Sequence, residues 1–118
     1  MPKPISKITK RAPRRSREAP SLPYEGWLIE QLKDPAEAAA YLEAVIEEGD
    51  QAAIMLALRQ VALARGGIAQ IARKAKLTRE AVYKMLSRSG NPELRSLTSV
   101  LEATGLRISV KPIAKQAA

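Results

Sequence analysis

Apolar residues recur at helical spacing between residues 34 and 104, and this pattern predicts a succession of short helices. The first begins at Asp34, which can cap it, and continues with Pro35 at the first helical position and Glu37 three residues after the cap. Gly49 is the expected stop. The apolar stripe of this helix consists of Ala38, Leu42, Val45 and Ile46.

The following helix, over residues 51–65, is apolar around most of its circumference, and Asp50 precedes it as a candidate cap. A helix of this kind belongs at the centre of a core or in a contact with a second subunit. Three further helices are predicted over residues 68–74, 79–87 and 93–104. In the last of them, the side chains expected to face inward are Leu94, Leu97, Val100 and Leu101.

The two flanks of this helical region show different patterns. Leu28 and Leu32 are spaced as on a helix, and with Trp27, the sole tryptophan, they predict that residues 24–32 pack into the core. Residues 106–110 alternate apolar and polar side chains, which predicts a short strand.

Composition divides the chain into three parts. Residues 1–23 contain five prolines and seven Lys/Arg with few apolar side chains, so we expect a disordered basic tail. A helical domain over residues 24–106 and a short strand with a tail over residues 106–118 complete the division. The expected fold class is all-α, with about five helices and a short C-terminal β-strand.

Charge follows a similar division. The chain has 118 residues and a net charge of +8, yet residues 24–65 contain eight Asp/Glu and three Lys/Arg. Residues 66–118 reverse this balance, with ten Lys/Arg and three Glu. Basic blocks on either side of an acidic middle indicate that one surface meets a polyanion and another does not.

The chain has no histidine and no cysteine, and therefore lacks the commonest general base, the commonest metal ligand and any thiolate. We expect no enzymatic activity, no metal and no cofactor. The alternative is a carboxylate site, for which the candidate cluster is Glu43, Glu47, Glu48 and Asp50. Its spacing is more simply that of a solvated helix face.

No apolar stretch approaches the ~18 residues of a transmembrane helix, and the basic N-terminus lacks the apolar region of a secretory signal. We therefore expect a cytoplasmic protein without a membrane partner.

The most informative segment lies at residues 68–87. A steep crossing of two short helices requires a small residue at the contact, and Ala72 fits this position. Val82, ten residues later, can anchor the second helix, and Leu77 can fill the turn. Together these residues predict a helix-turn-helix. Lys76 stands where glycine commonly makes the turn, so it must adopt a left-handed backbone.

In such a motif the N-terminal end of the second helix enters the major groove of DNA. Arg79 can pair with guanine, and Glu80 can accept from the amino group of cytosine. Tyr83 and Lys84 follow one turn later, on or beside the same face. The candidate phosphate contacts are Gln70, Thr78, Lys84 and Arg88. The alternative is a helical hairpin whose charged face is merely solvated.

Two stretches also resemble a known family: DPAEAAAYLEAVIEEGD at residues 34–50 and AIMLALRQVALARGGIAQIARKAKLTREAVYKMLSRSGNPELRSLTSVLEATGL at residues 53–106. They are similar to the addiction-module antidote proteins, HigA-like antitoxins of the Xre/Cro helix-turn-helix type. The resemblance implies a lambda-repressor-like helix-turn-helix bundle. It also implies an antitoxin of a type II toxin–antitoxin system that represses its own operon and neutralises a small ribonuclease of the RelE/HigB kind.

Two kinds of partner are therefore expected, double-stranded operator DNA and a toxin protein, the latter through the acidic residues 34–50. We also expect a homodimer, because one recognition helix reads few base pairs and a lone strand leaves its backbone groups unpaired. Alternatively, the toxin supplies the missing strand, which would make the antitoxin alone monomeric. The alternative function is a stand-alone transcriptional repressor without a toxin.

Overall fold

The computed structural model describes residues 24–113, and this part of the chain is built from helices alone, as the all-α prediction requires. The prediction of about five helices is one short, since the segment before Asp34 is itself a helix. The six helices are α1 (Glu25–Gln31), α2 (Pro35–Glu48), α3 (Gln51–Ala64), α4 (Ile68–Ala75), α5 (Arg79–Met85) and α6 (Leu94–Ala103). The disordered tail predicted over residues 1–23 lies outside the described residues.

Helix ends are set by local side-chain chemistry at the places that the sequence indicates. At the start of α2, Asp34 Oδ1 accepts a hydrogen bond from the backbone N–H of Ala36 at 3.0 Å, with Pro35 at the first position. Gly49 ends α2 with a left-handed φ of 82°, which glycine adopts without a steric penalty. Asp50 precedes α3 as predicted, but its side chain makes no capping hydrogen bond.

The core is organised around α3, which packs against α1, α2 and α4, while α4 in turn packs against α5 and α6. The apolar character of α3 around most of its circumference accounts for this central position. Burying the fully enclosed side chains stabilises the fold by about 1.5–3 kcal/mol each. The largest of them are Leu32, Val61, Ile71, Val82, Leu86 and Val100.

Arg59 of α3 and Arg65, which directly follows α3, bind backbone carbonyls at the ends of other elements. Arg59 donates to the carbonyl of Leu86 at the end of α5. Arg65 donates through Nε to the carbonyl of Thr104 at 2.6 Å and through Nη1 to the carbonyl of Lys33. These carbonyls lie at helix ends, where they lack intrahelical partners, so the two cations act in folding.

A polar network joins α1, α2 and α3. The hydroxyl of Tyr41 donates to Gln60 Oε1 at 2.6 Å, and Gln60 Nε2 donates to Glu25 Oε2 at 2.8 Å. Gln60 and Glu25 are buried. Burial raises the pKa of Tyr41, and the carboxylate of Glu25 and the neighbouring Tyr24 raise it further.

Three apolar side chains expected in the core are exposed instead. Trp27 is 66% exposed, because α1 uses its other side, with Leu28 half-buried and Leu32 buried, to contact α3. Ile46 and Leu94 are also exposed. Ile46 lies near the end of α2 and Leu94 is the first residue of α6, so helix periodicity alone overstated how far each apolar stripe is covered.

The predicted C-terminal strand is absent from the described residues. After Leu106, whose N–H bonds to the carbonyl of Leu101, residues 107–113 form no backbone hydrogen bond with the other described residues. A strand requires a neighbour for its N–H and C=O groups, and residues 24–113 contain no other strand to provide one. Lys111 is held beside α2 by an ion pair with Glu43 at 3.5 Å.

Among the helices of residues 24–113, no single one is long and apolar enough to cross a membrane. α3 and α4 reach the required length and apolarity only as a pair, bent by 93° at the break between them.

Candidate nucleic-acid interface

The segment containing most of the predicted site residues consists of α4, a three-residue turn and α5. Lys76 adopts the left-handed conformation, with φ 62° and ψ 42°, as the sequence requires of it. The N–H of Lys76 bonds to the carbonyl of Arg73 at 3.2 Å, and the N–H of Leu77 bonds to that of Ala72 at 2.9 Å. These bonds satisfy carbonyls at the end of α4 and fix the direction in which the chain enters α5.

The three residues predicted to form the inner side of this unit are placed accordingly. Ala72 is buried on α4 and Val82 is fully buried on α5, while Leu77 in the turn is half-buried. α4 and α5 pack against each other, so the small side chain of Ala72 allows close approach of the two helices.

Thr78 begins α5 as the sequence predicts. Its Oγ1 accepts a hydrogen bond from the backbone N–H of Ala81 at 3.0 Å, which satisfies one of the free donors of the first turn. Glu80 in the same turn is exposed. Its negative side chain lies near the positive N-terminal end of the helix, where it is stabilising.

Arg79 and Tyr83 form the clearest contact among the predicted site residues. The Arg79 guanidinium carbon lies 6.0 Å from the centre of the Tyr83 ring, at the outer limit of a cation–π contact. Arg79 is exposed and Tyr83 half-buried. The guanidinium and the ring are thus neighbours on α5.

The remaining predicted residues are all exposed but lie on different elements. Lys84 lies on α5, while Arg88 belongs to the loop that follows it. Gln70 lies on α4, and its side chain folds back over Gly66. A Cβ added to Gly66 would come within 2.8 Å of the Gln70 side-chain oxygen. Gly66 is thus the residue that leaves room for this side chain.

The residue-by-residue prediction left out four exposed cations of the same region. Their signal in the sequence is the basic block over residues 66–118, which does not distinguish its individual cations. They contrast with Arg59 and Arg65, whose guanidinium groups bind carbonyls within the fold. The four exposed cations are Arg73, Lys74, Lys76 and Arg95.

An open cleft of about 490 Å³ lies beside this unit, between the end of α5 and the start of α6. Its lining includes hydroxyl, amide and ammonium groups, all of which can contact phosphate. The polar lining residues are Lys84, Ser87, Ser89, Asn91, Glu93 and Ser96. In the described part of the chain no cluster of three or more acidic side chains could hold a metal ion.

The sequence model of one protein family, described as "probable addiction module antidote protein", matches residues 27–112. A relative from Haemophilus influenzae, described only as an uncharacterized protein, is 37% identical over 84 residues, which is 71% of this chain and 86% of the relative. No solved structure matches. The family match spans α2 to α6 and most of α1, so both the acidic helices and the α4–α5 unit lie within it; the chain belongs to the family of probable addiction module antidote proteins.

Proposed function

We propose that this protein is the antitoxin of a type II toxin–antitoxin pair, which neutralises a toxin of the RelE/HigB ribonuclease kind and represses its own operon. The family match over residues 27–112 carries this proposal, since an antidote implies a toxin as its partner. The α4–α5 unit supports the repressor role. We interpret it as a helix-turn-helix of the lambda-repressor, Xre/Cro type.

In this proposal α5 enters the major groove. Thr78 ends the turn at the groove, Arg79 donates to the two acceptors of a guanine, and Glu80 accepts from a cytosine amino group. The Tyr83 ring lies beside Arg79. Phosphate contacts fix the register and come from Gln70, Thr78, Lys84 and Arg88.

The opposite signs of charge along the chain support two separate partners. From α4 onward the exposed charges are mainly positive, as a phosphate-binding surface requires, whereas α1 and α2 contain an excess of carboxylates. A cytoplasmic protein bound to its operator is the expected setting. The whole role belongs to a binding protein and requires no catalytic residue.

The DNA-binding role is tested with the purified full-length chain and the duplex upstream of its own gene. Arg79→Ala should weaken binding to this duplex by about 1–3 kcal/mol and hardly affect binding to a scrambled duplex. Arg95→Ala is the matched control, because it removes an exposed arginine of α6 and should lower both affinities equally or not at all. Equal losses for Arg79→Ala on both duplexes would make Arg79 a phosphate contact.

The antitoxin role is tested by co-expression with the adjacent small reading frame, followed by native mass spectrometry of the purified complex. A stable complex and rescue of growth are expected. If the protein binds its operator but forms no complex with the adjacent gene product, the stand-alone repressor is the correct function.

A further inference from the structure

The outer side of α1 presents two large aromatic side chains that the core does not use. Tyr24 and Trp27 stand three residues apart, which places them on one face of the helix, and they are 63% and 66% exposed. The opposite side holds α1 in place through buried Leu32 and through the Glu25 carboxylate, which accepts a hydrogen bond from Gln60. The two aromatic rings are therefore exposed on a helix whose other side is packed against the core.

Acidic side chains are concentrated in the same part of the chain as this pair. Residues 24–50 contain eight Asp/Glu and one lysine, Lys33, which is itself paired with Glu30 at 3.2 Å. Only Glu25 among the eight is buried. Glu43 also has a cationic partner, since it forms an ion pair with Lys111 at 3.5 Å. The exposed carboxylates belong to Glu30, Asp34, Glu37, Glu43, Glu47, Glu48 and Asp50.

This chemistry selects among possible occupants. DNA is disfavoured, because its phosphates would meet carboxylates. A second copy is disfavoured as well, because a two-fold interface places the same patch on both subunits and would set these carboxylates against one another. A protein with a basic surface complements the charge and can cover the aromatic rings.

We propose that Tyr24 and Trp27, together with the acidic side chains of α1 and α2, form the docking surface for a basic protein partner, the toxin that the proposed function requires. The proposal rests on that function and adds where the toxin binds. The rings supply buried anchors of the kind that carries most interface energy, and the surrounding carboxylates accelerate encounter. α5 stays free for DNA while the toxin is bound.

The test uses the full-length chain and, as its probe, the purified product of the adjacent small reading frame. Trp27→Ala should weaken binding of that protein by about tenfold or more in calorimetric titration. The matched control is Leu94→Ala, which removes another highly exposed apolar side chain, at the start of α6, and should leave the affinity unchanged. Both variants should keep the melting temperature and operator affinity of the wild type, since neither side chain is buried.

A direct readout follows from Trp27 being the sole tryptophan. With fluorotryptophan incorporated into this chain alone, a single fluorine resonance should shift when the adjacent gene product is added, and it should stay in place when operator DNA is added. Charge reversal at Glu43, Glu47 and Glu48 should slow association more than it speeds dissociation.

Several results would overturn the proposal and point to different causes. Equal affinity of Trp27→Ala and wild type would reject this surface while leaving the antitoxin function intact. Failure of the wild type to bind the adjacent gene product would reject that function and the surface with it. A change in the oligomeric state of the free protein on Trp27→Ala would identify a second copy as the occupant. A shift of the free protein's fluorine resonance on deletion of residues 1–20 would identify the chain's own basic segment.

Discussion

At the residue scale, Lys76 shows how a sequence feature and a backbone conformation depend on each other. It is the only non-glycine residue of the described chain with a positive φ. A side chain in this conformation costs about 1–2 kcal/mol, because its Cβ crowds the following carbonyl. The packing of Ala72 and Val82 on either side keeps the turn closed despite this cost.

Lys76→Gly should therefore raise the free energy of unfolding by about 0.5 kcal/mol. Relief of about 1–2 kcal/mol of left-handed strain exceeds the roughly 0.5–1 kcal/mol by which glycine's freedom stabilises the unfolded chain. Lys74→Gly, in the last turn of α4, is the control and should destabilise the protein by about 1 kcal/mol. Denaturant unfolding measures both. A loss for Lys76→Gly as large as that for Lys74→Gly would mean that the lysine side chain stabilises the turn by contacts of its own.

At the element scale, α1 and α2 are joined to α3 by polar contacts as well as by apolar packing. Gln60 connects Glu25 of α1 and Tyr41 of α2, and it is almost fully buried. Removing one partner from such a network leaves the others without their hydrogen bonds in a place that water does not reach, which costs about 1–3 kcal/mol. This network therefore sets the position of the acidic helices relative to the rest of the fold.

The pKa of Tyr41 makes this network sensitive to alkaline pH. It is raised above the usual 10.0, so the unfolded chain loses the phenol proton before the folded chain does. The associated stability is fully present below pH 10.0 and is lost as pH rises through the raised pKa of the folded state. Unfolding free energies measured from pH 8 to 11 should fall above pH 10, within the range bounded by these two pKa values.

Tyr41→Phe should flatten that alkaline decline and should lower stability at pH 7 by about 1–3 kcal/mol, since the variant leaves the buried Gln60 oxygen without its hydrogen-bond donor. Tyr83→Phe, which leaves the network intact, is the control and should keep the full decline. An unchanged decline in Tyr41→Phe would assign the alkaline loss to other groups.

At the scale of the whole molecule, the segment before Tyr24 adds seven Lys/Arg and few apolar side chains. We expect them to increase affinity for any duplex. Deleting residues 1–20, which contain seven Lys/Arg, should reduce the slope of log affinity against log salt by about 0.9 for each phosphate that the segment neutralises. A full-length variant with glutamine at these seven positions separates charge from chain length. An unchanged slope in both would show that this segment does not bind DNA.

We also propose a homodimer, because a pair of recognition helices can read two half-sites. Residues 107–113 are a candidate seam, since their backbone forms no hydrogen bond with the other described residues and Ile108, Val110 and Ile113 are exposed. Sedimentation at micromolar concentration should give a dimer that is weakened by Ile108→Pro or Ser109→Pro. Alternate N–H groups point to opposite sides of an extended chain, so one of the two substitutions must remove a bond to the partner. A dimer unaffected by either substitution would place the seam elsewhere, and a monomer would end the proposal.

The sequence by itself determined the features that depend on near neighbours in the chain. Asp34, Pro35 and Gly49 set the ends of α2 through bonds and dihedral angles within a few residues, and Thr78 does the same for α5. The central place of α3 is one of the two that its sequence allows, because a helix that is apolar around most of its circumference must be covered by the core or by a second subunit. For the candidate site, Ala72 and Val82 are buried and Leu77 is partly buried against the core, whereas their role in a helix-turn-helix stays a prediction.

Tertiary structure alone decided which apolar side chains stay exposed and which charged side chains are used within the fold. Trp27 is exposed because α1 contacts α3 with its other face, and helical spacing cannot tell which of two apolar faces finds a neighbour. Arg59 and Arg65 bind carbonyls of distant helix ends, a use of charge that composition does not distinguish from DNA binding. Residues 106–110 have the alternation of a strand, but a strand needs a neighbouring one, and the described residues of a single chain do not supply it.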